Sequence, residues 1–246
     1  MLKLENTEIV GWEHAIRGMR NPKNSWAKSD SVFTSHELED WPHDTVKTFD
    51  DLGPNDYKLM SQLADGGPVH AKYRRMIAVY VDITAPLYWW KEFDTYKVGT
   101  VANSCSTMHK IAAKEFTLDD FSCEHLMTTR TAVAAIDVDG NTCYYSPRGQ
   151  LNQTIQILNY FRLCYLDMVN QKVPNAAEQA KEYWWQMIQL LPSSYNQKRT
   201  VMLNYEVLVG IYKWRRNHKL DEWHTFCDWI EELPYSELIT GRKDED

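Results

Sequence analysis

One segment, in which a predicted strand leads through a proline into an aromatic helix, constrains the possible fold of this chain more than any other. Residues Arg75–Ile83 are apolar and rich in β-branched side chains, which predicts a buried strand. Pro86 suits the first turn of a helix, and aromatic residues follow it. Small polar side chains then accumulate before His109, namely Thr100, Asn103, Ser104, Ser106 and Thr107. Because a packed core has little use for such a run, we expect it to hold an oxygen-rich ligand.

The rest of the chain reads mainly as helices separated by turn residues. Apolar spacing and capping residues predict helices over 12–19, 55–63 with Asn55 as N-cap, 151–169, 175–191, 204–217 and 220–233. A strand over 2–10 is expected to break at a polar turn near Glu5–Asn6. Residues 24–54 are expected to be irregular with short helical turns, because Pro42 and Gly53–Pro54 punctuate them.

These elements predict an α+β fold that is helix-dominated, with a small, mostly antiparallel sheet. We expect one domain over residues 1–246, with an irregular tail from about residue 234. The chain has no basic block and a formal charge of −7, which argues against a nucleic acid polymer as partner. Five cysteines without paired spacing suggest neither a disulfide framework nor a zinc site. Without a leader or a long apolar run, we expect a cytoplasmic protein that does not enter the membrane.

The polar run before His109 has two interpretations. As a binding site, Lys97 would neutralise an anion, Thr100, Asn103 and Ser106 would donate to oxygens, and His109 would bind or shuttle a proton. As a structural loop, the same hydroxyl and amide groups would satisfy backbone groups between two helices. The absence of a G-x-G-x-x-G or Walker motif means that any nucleotide or flavin would not sit in a Rossmann crevice.

Two further positions are candidates. His70 follows Gly66-Gly67-Pro68 just before the predicted strand, and is either functional or an ordinary surface histidine. Arg215 lies in a basic cluster at a predicted helix end, where the helix dipole favours positive charge. Its guanidinium also matches phosphate oxygens, so a phosphate site is the functional alternative.

In this order, the clusters resemble the flavin-dependent thymidylate synthases (the ThyX family). That family's signature reads roughly Ala-Pro, four residues, Arg-Gln, two residues, Arg-His-Arg-x-x-Ser, then Asn-Glu-x-Ser-x-Arg-Tyr. This chain has Ala85-Pro86, Lys91-Glu92, the run 95–100 and the run 103–109. His70, Leu191-Pro192, Asn204 and Arg215 resemble further landmarks, so the similarity extends from about residue 1 to 232. The family's Arg-His-Arg is replaced by Thr95-Tyr96-Lys97, and its Arg-Tyr by Met108-His109.

The resemblance implies a fold, a reaction and a set of partners. It implies a homotetramer with FAD sites built between subunits, and methylation of dUMP to dTMP with methylenetetrahydrofolate and NADPH, without a protein nucleophile. It implies nucleotide contacts at Lys97, Thr100, Ser104, Ser106 and Arg215. It implies cofactor contacts at His70, Asn103, His109 and Asn204.

The replaced arginines leave two other functions open. The chain would modify a different pyrimidine nucleotide if the altered motif reflects an altered substrate. It would be a non-catalytic binding or scaffold protein if the fold persisted and the chemistry was lost.

Overall fold

The computed structural model describes residues 2–38, 41–129, 133–136, 139–171 and 174–241. Its strands are β1 (Lys3–Val10), β2 (Val32–Leu38), β3 (Trp41–Asp51), β4 (Ala78–Pro86), β5 (Val101–Ser104), β6 (Val133–Ile136), β7 (Thr142–Tyr145) and β8 (Asn196–Asn204). Its helices are α1 (Trp12–Arg20), α2 (Pro54–Asp65), α3 (Leu87–Phe93), α4 (Thr107–Lys110), α5 (Pro147–Asn170), α6 (Ala176–Leu190), α7 (Tyr205–Arg215), α8 (Asp221–Glu231) and α9 (Glu237–Thr240). Among the described residues, no helix is long and apolar enough to span a bilayer.

The strands form one four-stranded sheet, in the order β1-β4-β8-β5, and two antiparallel hairpins, β2–β3 and β6–β7. The predicted α+β class, helix-dominated with a small and mostly antiparallel sheet, is confirmed. The chain divides into two compact units. Unit 1 comprises Met1–Lys3, Ile83–Asp94 and Asn103–Arg199, and unit 2 comprises Leu4–Asp82, Thr95–Ala102 and Thr200–Asp246. That both belong to one domain stays a prediction.

Unit 1 is built on the packing of α5 against α6. Ser146 caps α5 by accepting a hydrogen bond of 3.0 Å from the Gly149 N–H. Leu151, Ile155 and Leu158 then fall on one face of the helix and are buried with Met187 of α6. Residues 111–121 cover this apolar cluster, and so the chain after α4 is held close to both helices.

Unit 2 contains a buried ion pair between α1 and α2. Arg20 Nε donates to Asp56 Oδ1 at 2.6 Å, and the two side chains are 4% and 0% exposed. The other carboxylate oxygen accepts bonds from the Ser29 and Ser31 hydroxyls, both at 2.7 Å, and from the Asp30 and Ser31 N–H groups. Residues 29–31 form the loop directly before β2, and Asp56 belongs to α2. The Asp56 carboxylate therefore holds this loop, as well as α1 through Arg20, against α2.

The prediction that residues 24–54 are irregular is wrong, because β2 (Val32–Leu38) and β3 (Trp41–Asp51) pair as antiparallel strands. Phe33 and Phe49 are register partners, and their ring centroids are 5.5 Å apart. Pro42 was misleading because it lies at the start of β3, where the sheet has only two strands and proline is tolerated. The predicted short helical turn is present at Trp26–Lys28.

The predicted helices are present with shifted ends, but three local predictions need correction. Asn55 is not the N-cap of α2; Gly53 precedes the helix, and the Asp30 carboxylate accepts bonds from the Asn55 and Asp56 N–H groups. The strand predicted from Arg75 begins at Ala78, since Lys72–Met76 forms a 3-10 helix. β1 is not broken at Glu5–Asn6, although Asn6 has a φ of 55°.

Two segments read as polar connections are regular structure. Asn196–Asn204, for which no strand was predicted, is strand β8, and the polar run that ends at His109 contains strand β5. Within the tail predicted to be irregular, Glu237–Thr240 forms α9, while residues 242–246 lie outside the described residues. Neither strand was predicted from the sequence, because each has few apolar side chains and pairs with strands that are far away in the chain.

Candidate functional site

Three lysines and several hydroxyl groups line a cavity of about 480 Å³ in unit 1, which we call the lysine cavity. The lysines are Lys110, Lys114 and Lys198, and the hydroxyl groups are those of Thr84, Ser106, Thr107, Thr117 and Tyr195. Asp119 and Asp120 also line it and supply acidic groups. This combination suits a ligand that carries both an anionic group and neutral oxygens.

The turn at residues 105–107 is fastened to β8. The Cys105 N–H donates to the Lys198 carbonyl at 2.9 Å, and Gln197 Nε2 donates to the Cys105 carbonyl and to Thr107 Oγ1, both at 3.1 Å. Ser106 Oγ accepts the His109 N–H at 3.2 Å and so caps α4. The Ser106 and Thr107 oxygens are acceptors in these bonds, so each hydroxyl can still donate its hydrogen to a ligand.

Lys114 is held at the cavity by Asp120. Its ammonium donates a short hydrogen bond to Asp120 Oδ1, while Asp120 Oδ2 accepts from the Thr117 N–H and Oγ1. The hydrogen bond to Asp120 raises the pKa of Lys114, and the nearby carboxylate charge adds to that effect. Lys114 is therefore charged at neutral pH, and its carboxylate partner fixes its position.

Tyr195 connects the Leu191-Pro192 turn to the lysine cavity. Its N–H donates to the Pro192 carbonyl at 3.0 Å, and β8 begins at the next residue. Its ring lies 6.3 Å from Phe116 and 5.7 Å from Phe121, measured between centroids. Burial raises the pKa of Tyr195, so the phenol is neutral and can donate or accept a hydrogen bond.

A second concavity of unit 1, the α5–α6 groove, has a volume of about 780 Å³. Its walls are mostly apolar, from Met108 of α4, Tyr165 and Met168 of α5, and Ala180 and Trp184 of α6. Trp184 Nε1 donates to the Met108 carbonyl at 3.0 Å, which satisfies the indole N–H and leaves the ring as an apolar surface. Polar groups stand among these walls at Ser106, His109 and Lys181. The groove suits a flat apolar ring system with a polar or anionic end.

In unit 2, Arg215 lies beside two aromatic rings at the end of α7. Its Nε donates to Tyr96 Oη at 2.8 Å. The guanidinium carbon is 5.5 Å from the centroid of the Tyr96 ring and 4.8 Å from that of Trp223. Tyr96 occupies the middle position of the Thr95-Tyr96-Lys97 run, so this substituted motif positions Arg215.

The 97–100 turn lies against the start of α7 within unit 2. Gly99 has a φ of 80°, and a Cβ there would be 3.2 Å from Asn204 Nδ2 and 3.1 Å from Val207. Asn204 caps α7, since its Oδ1 accepts the Val207 N–H at 3.1 Å. Thr100 Oγ1 is buried and has no hydrogen-bond partner among the described residues. Lys97 is exposed in the same turn.

The predicted site residues are thus only partly brought together. In unit 1, Ser106 lines both the lysine cavity and the α5–α6 groove, and His109 lines the groove. Asn103 and Ser104 are exposed in β5 and line neither. The remaining predicted residues belong to unit 2, where His70 lines a separate cavity of about 720 Å³ beside α1 and α2. The role of each of these residues stays a prediction.

Sequence reasoning missed the three lysines. Lys110 and Lys114 are four residues apart directly after His109, and this spacing was an available signal. Lys198 gave no such signal, because its place depends on β8, which was not predicted. Trp184 and Tyr165 read as ordinary apolar positions of their helices, since a groove wall and a core have the same helical spacing.

The fold has counterparts among solved structures. The chain matches thymidylate synthase X from Helicobacter pylori, crystallised with FAD and dUMP, at 14% identity and a TM-score of 0.59, covering 98% of this chain and 97% of that one. It matches the UMP/dUMP methylase PolB from Streptomyces cacaoi, bound with 5-Br dUMP, at 12% identity and a TM-score of 0.55, covering 98% and 94%. No family model and no curated protein matches the sequence. The chain therefore has a ThyX-like fold over nearly its whole length.

Proposed function

We propose that this protein is a flavin-dependent enzyme that methylates a pyrimidine nucleotide, with dUMP as the first substrate to test. The observation that carries this proposal is the arrangement around Ser106, which lines a cationic cavity and an apolar groove at once. A nucleotide and a flavin need these two kinds of surface side by side. The ThyX-like fold supports the same assignment, because its counterparts were crystallised with FAD and dUMP, or with 5-Br dUMP.

The lysine cavity is the proposed nucleotide site. A phosphate monoester carries a charge of about −1.5 to −2 near pH 7 and three acceptor oxygens. Lys110, Lys114 and Lys198 outnumber the Asp119 and Asp120 carboxylates, so the net positive charge of the cavity would offset part of the phosphate charge, and the Ser106 and Thr107 hydroxyls would donate to phosphate or sugar oxygens. The cavity volume of about 480 Å³ lies within the range of roughly 300–1,000 Å³ that small-molecule sites occupy. Lysines in this cavity would supply the positive charge that the family places on its signature arginines.

The α5–α6 groove fits FAD. Trp184 and Tyr165 would provide flat surfaces for an isoalloxazine ring, and Lys181 and His109 of the same lining would be partners for an anionic tail. A bound flavin would supply the redox chemistry, with methylenetetrahydrofolate and NADPH as the co-substrates that the ThyX family uses. The chain's own part is to bind and orient. The Ser106 N-cap holds one hydroxyl where the lysine cavity and the α5–α6 groove share a lining residue.

A homotetramer is part of this proposal, with sites completed by neighbouring subunits. Ile157, Tyr160 and Leu163 are large apolar side chains of α5 that are 44%, 62% and 61% exposed, and a partner subunit would cover them. In such shared sites, residues of unit 2 from one subunit would contact the nucleotide or the flavin bound to another subunit. Lys97, Thr100 and Arg215 remain proposed nucleotide contacts together with Ser104, and His70, Asn103 and Asn204 remain proposed cofactor contacts.

The test begins with the visible spectrum of the purified protein and a titration with FAD. We expect a flavin spectrum, or FAD binding at micromolar concentration, and then conversion of dUMP to a methylated product when methylenetetrahydrofolate and NADPH are added. Lys110→Gln should weaken nucleotide binding, while Lys213→Gln, an exposed lysine of α7, serves as the matched control. A colourless protein that does not bind added FAD contradicts the flavoenzyme proposal.

A different nucleotide substrate is the second candidate, favoured by the fold match to a UMP/dUMP methylase. Incubating the enzyme with equal amounts of UMP and dUMP, and measuring the mass of each nucleotide afterwards, separates the two. Methylation of dUMP alone rules this candidate out. Absence of binding and of a mass change for both nucleotides is the result that the third function, a non-catalytic binding or scaffold protein, predicts.

A further inference from the structure

Unit 2 contains a cavity of about 770 Å³ that is separate from the lysine cavity and from the α5–α6 groove. Four aromatic residues contribute to its wall, namely Trp12 of α1, Phe49 of β3, Trp229 of α8 and Tyr235. We call it the aromatic cavity. Its volume lies within the range of roughly 300–1,000 Å³ that is usual for small-molecule sites.

The aromatic rings of this wall pack in a fixed arrangement. Trp12 and Phe49 are stacked, with centroids 4.7 Å apart and ring planes at 14°. Tyr235 meets both rings at an angle, at centroid distances of 5.4 Å and 6.2 Å. Trp229 Nε1 donates to Thr7 Oγ1 at 3.1 Å, so the polar edge of this indole is satisfied. Because Trp12 is 3% exposed and Trp229 is 9% exposed, the accessible aromatic surface of the wall comes mainly from the half-buried rings of Phe49 and Tyr235, which this packing holds in place.

Tyr235 is held in an unfavourable backbone conformation. Its φ of 54° lies in the left-handed region, which a bulky residue rarely adopts. The hydroxyl accepts the Leu52 N–H at 2.8 Å and donates to Asp51 Oδ1. These bonds hold the Tyr235 ring beside the end of β3, where it lines the cavity.

The charges at the cavity have one sign. Asp50 and Glu232 line it, while no Lys, Arg or His is among its described lining residues. Helix α8 ends at Glu231, so the partial negative charge of a helix C-terminus adds to that of the two carboxylates. Aromatic faces, carboxylates and a helix C-terminus all favour a cation.

We propose that the aromatic cavity binds an organic cation, specifically an alkylammonium group attached to a small apolar body. The ring faces would stabilise the ammonium by cation–π attraction, while Asp50 and Glu232 would supply the balancing charge. A simple metal ion would not use the aromatic wall, and a neutral apolar ligand would not use the carboxylates. This site is independent of the proposed methylation.

Choline is the probe, with 3,3-dimethylbutan-1-ol as its neutral carbon analogue of the same shape. Both are titrated into the full-length protein by calorimetry at constant ionic strength. We expect choline to bind at least about tenfold more tightly than the alcohol, because one desolvated cation–π contact alone contributes up to about 2 kcal/mol. Equal binding of the two compounds, or no binding of choline, overturns the proposal.

Two variants locate the site. Phe49→Leu should weaken choline binding by about 2- to 30-fold, which is the range for one cation–π contact. Glu232→Gln should weaken it as well; the side chain is exposed, so this variant keeps its fold if Phe49→Leu does not. The control is Trp214→Leu, since Trp214 is 71% exposed and lies on α7 outside the cavity. Choline affinities that are the same in Glu232→Gln and in the control contradict the assignment.

Discussion

Replacing Asp56 by asparagine should destabilise the protein more than any surface substitution. The carboxylate is fully buried and accepts hydrogen bonds from Arg20, from two serine hydroxyls and from two backbone N–H groups. The amide of the substituted side chain would keep one acceptor oxygen but would leave the Arg20 guanidinium, 4% exposed, without its counter-charge. Breaking one partner of a buried ion pair costs about 3–5 kcal/mol. For a chain of this size, that corresponds to a decrease in Tm of roughly 6–20 °C.

The measurement is thermal unfolding followed by circular dichroism, with urea unfolding as a second estimate of the free energy. The matched control is Glu13→Gln, which removes the ion pair with Lys47 at 3.1 Å; the Lys47 and Glu13 side chains are 46% and 38% exposed. An exposed pair contributes about 0–1 kcal/mol, so the control should unfold close to the wild-type temperature. If Asp56→Asn lowers the Tm no more than Glu13→Gln does, the buried pair does not stabilise unit 2 as we argue.

The same residue predicts a dependence of stability on pH. Burial alone would raise the pKa of Asp56, but hydrogen bonds from Ser29, Ser31, Arg20 and the Asp30 N–H outweigh it and hold the pKa below the ordinary value of 3.8. A depressed folded-state pKa stabilises the fold above the unfolded value, and this contribution is lost as the pH falls through the folded value. The free energy of unfolding of the wild-type protein should therefore decrease as the pH is lowered below about 5. Asp56→Asn should show a smaller fall over the same interval, and parallel curves would contradict the assignment.

Three further substitutions test the candidate site. Lys110→Gln should weaken binding of the pyrimidine nucleotide by about 10- to 150-fold, the cost of one charge-assisted hydrogen bond, while Lys213→Gln changes it little; equal effects in a nucleotide titration would argue against the lysine cavity. Trp184→Leu should raise the Kd for FAD by about 2- to 12-fold through the loss of one aromatic contact, and unchanged flavin fluorescence titrations would place the flavin elsewhere. Tyr96→Phe removes the acceptor of the 2.8 Å bond from Arg215 and should lower the free energy of unfolding by about 0.5–1.5 kcal/mol, as measured in urea.

Much of the helical structure was predictable from the sequence because its signals are local. The spacing of Leu151, Ile155 and Leu158 predicts the buried face of α5. Thr117 and Asp120, three positions apart, form a capping box at the short 3-10 helix Leu118–Asp120, which is a pattern that the sequence alone displays. Such signals involve residues three or four positions apart, so neighbouring side chains alone determine them.

The strands β3, β5 and β8 were not predictable in the same way. The positions of Phe49 and Lys198 are set by the strands that pair with β3 and β8, whereas their neighbours in the sequence are largely polar. A strand's stability comes from cross-strand pairing and burial, which depend on residues far away in the chain. The lysine cavity and the aromatic cavity were not predictable for the same reason, because Lys198 and Phe49 line them only once those strands have paired.

For this protein, the sequence by itself determined the fold class, most of the helices and the polar run that ends at His109. The tertiary structure decided which of those polar groups meet a ligand surface. It placed Ser106 at the junction of a cationic cavity and an apolar groove, and left Asn103 and Ser104 exposed on β5. The physical reason is that a binding site needs charge and shape to converge from distant segments. Lys110, Lys114 and Lys198 converge only when β8 pairs in the sheet and α5 packs on α6.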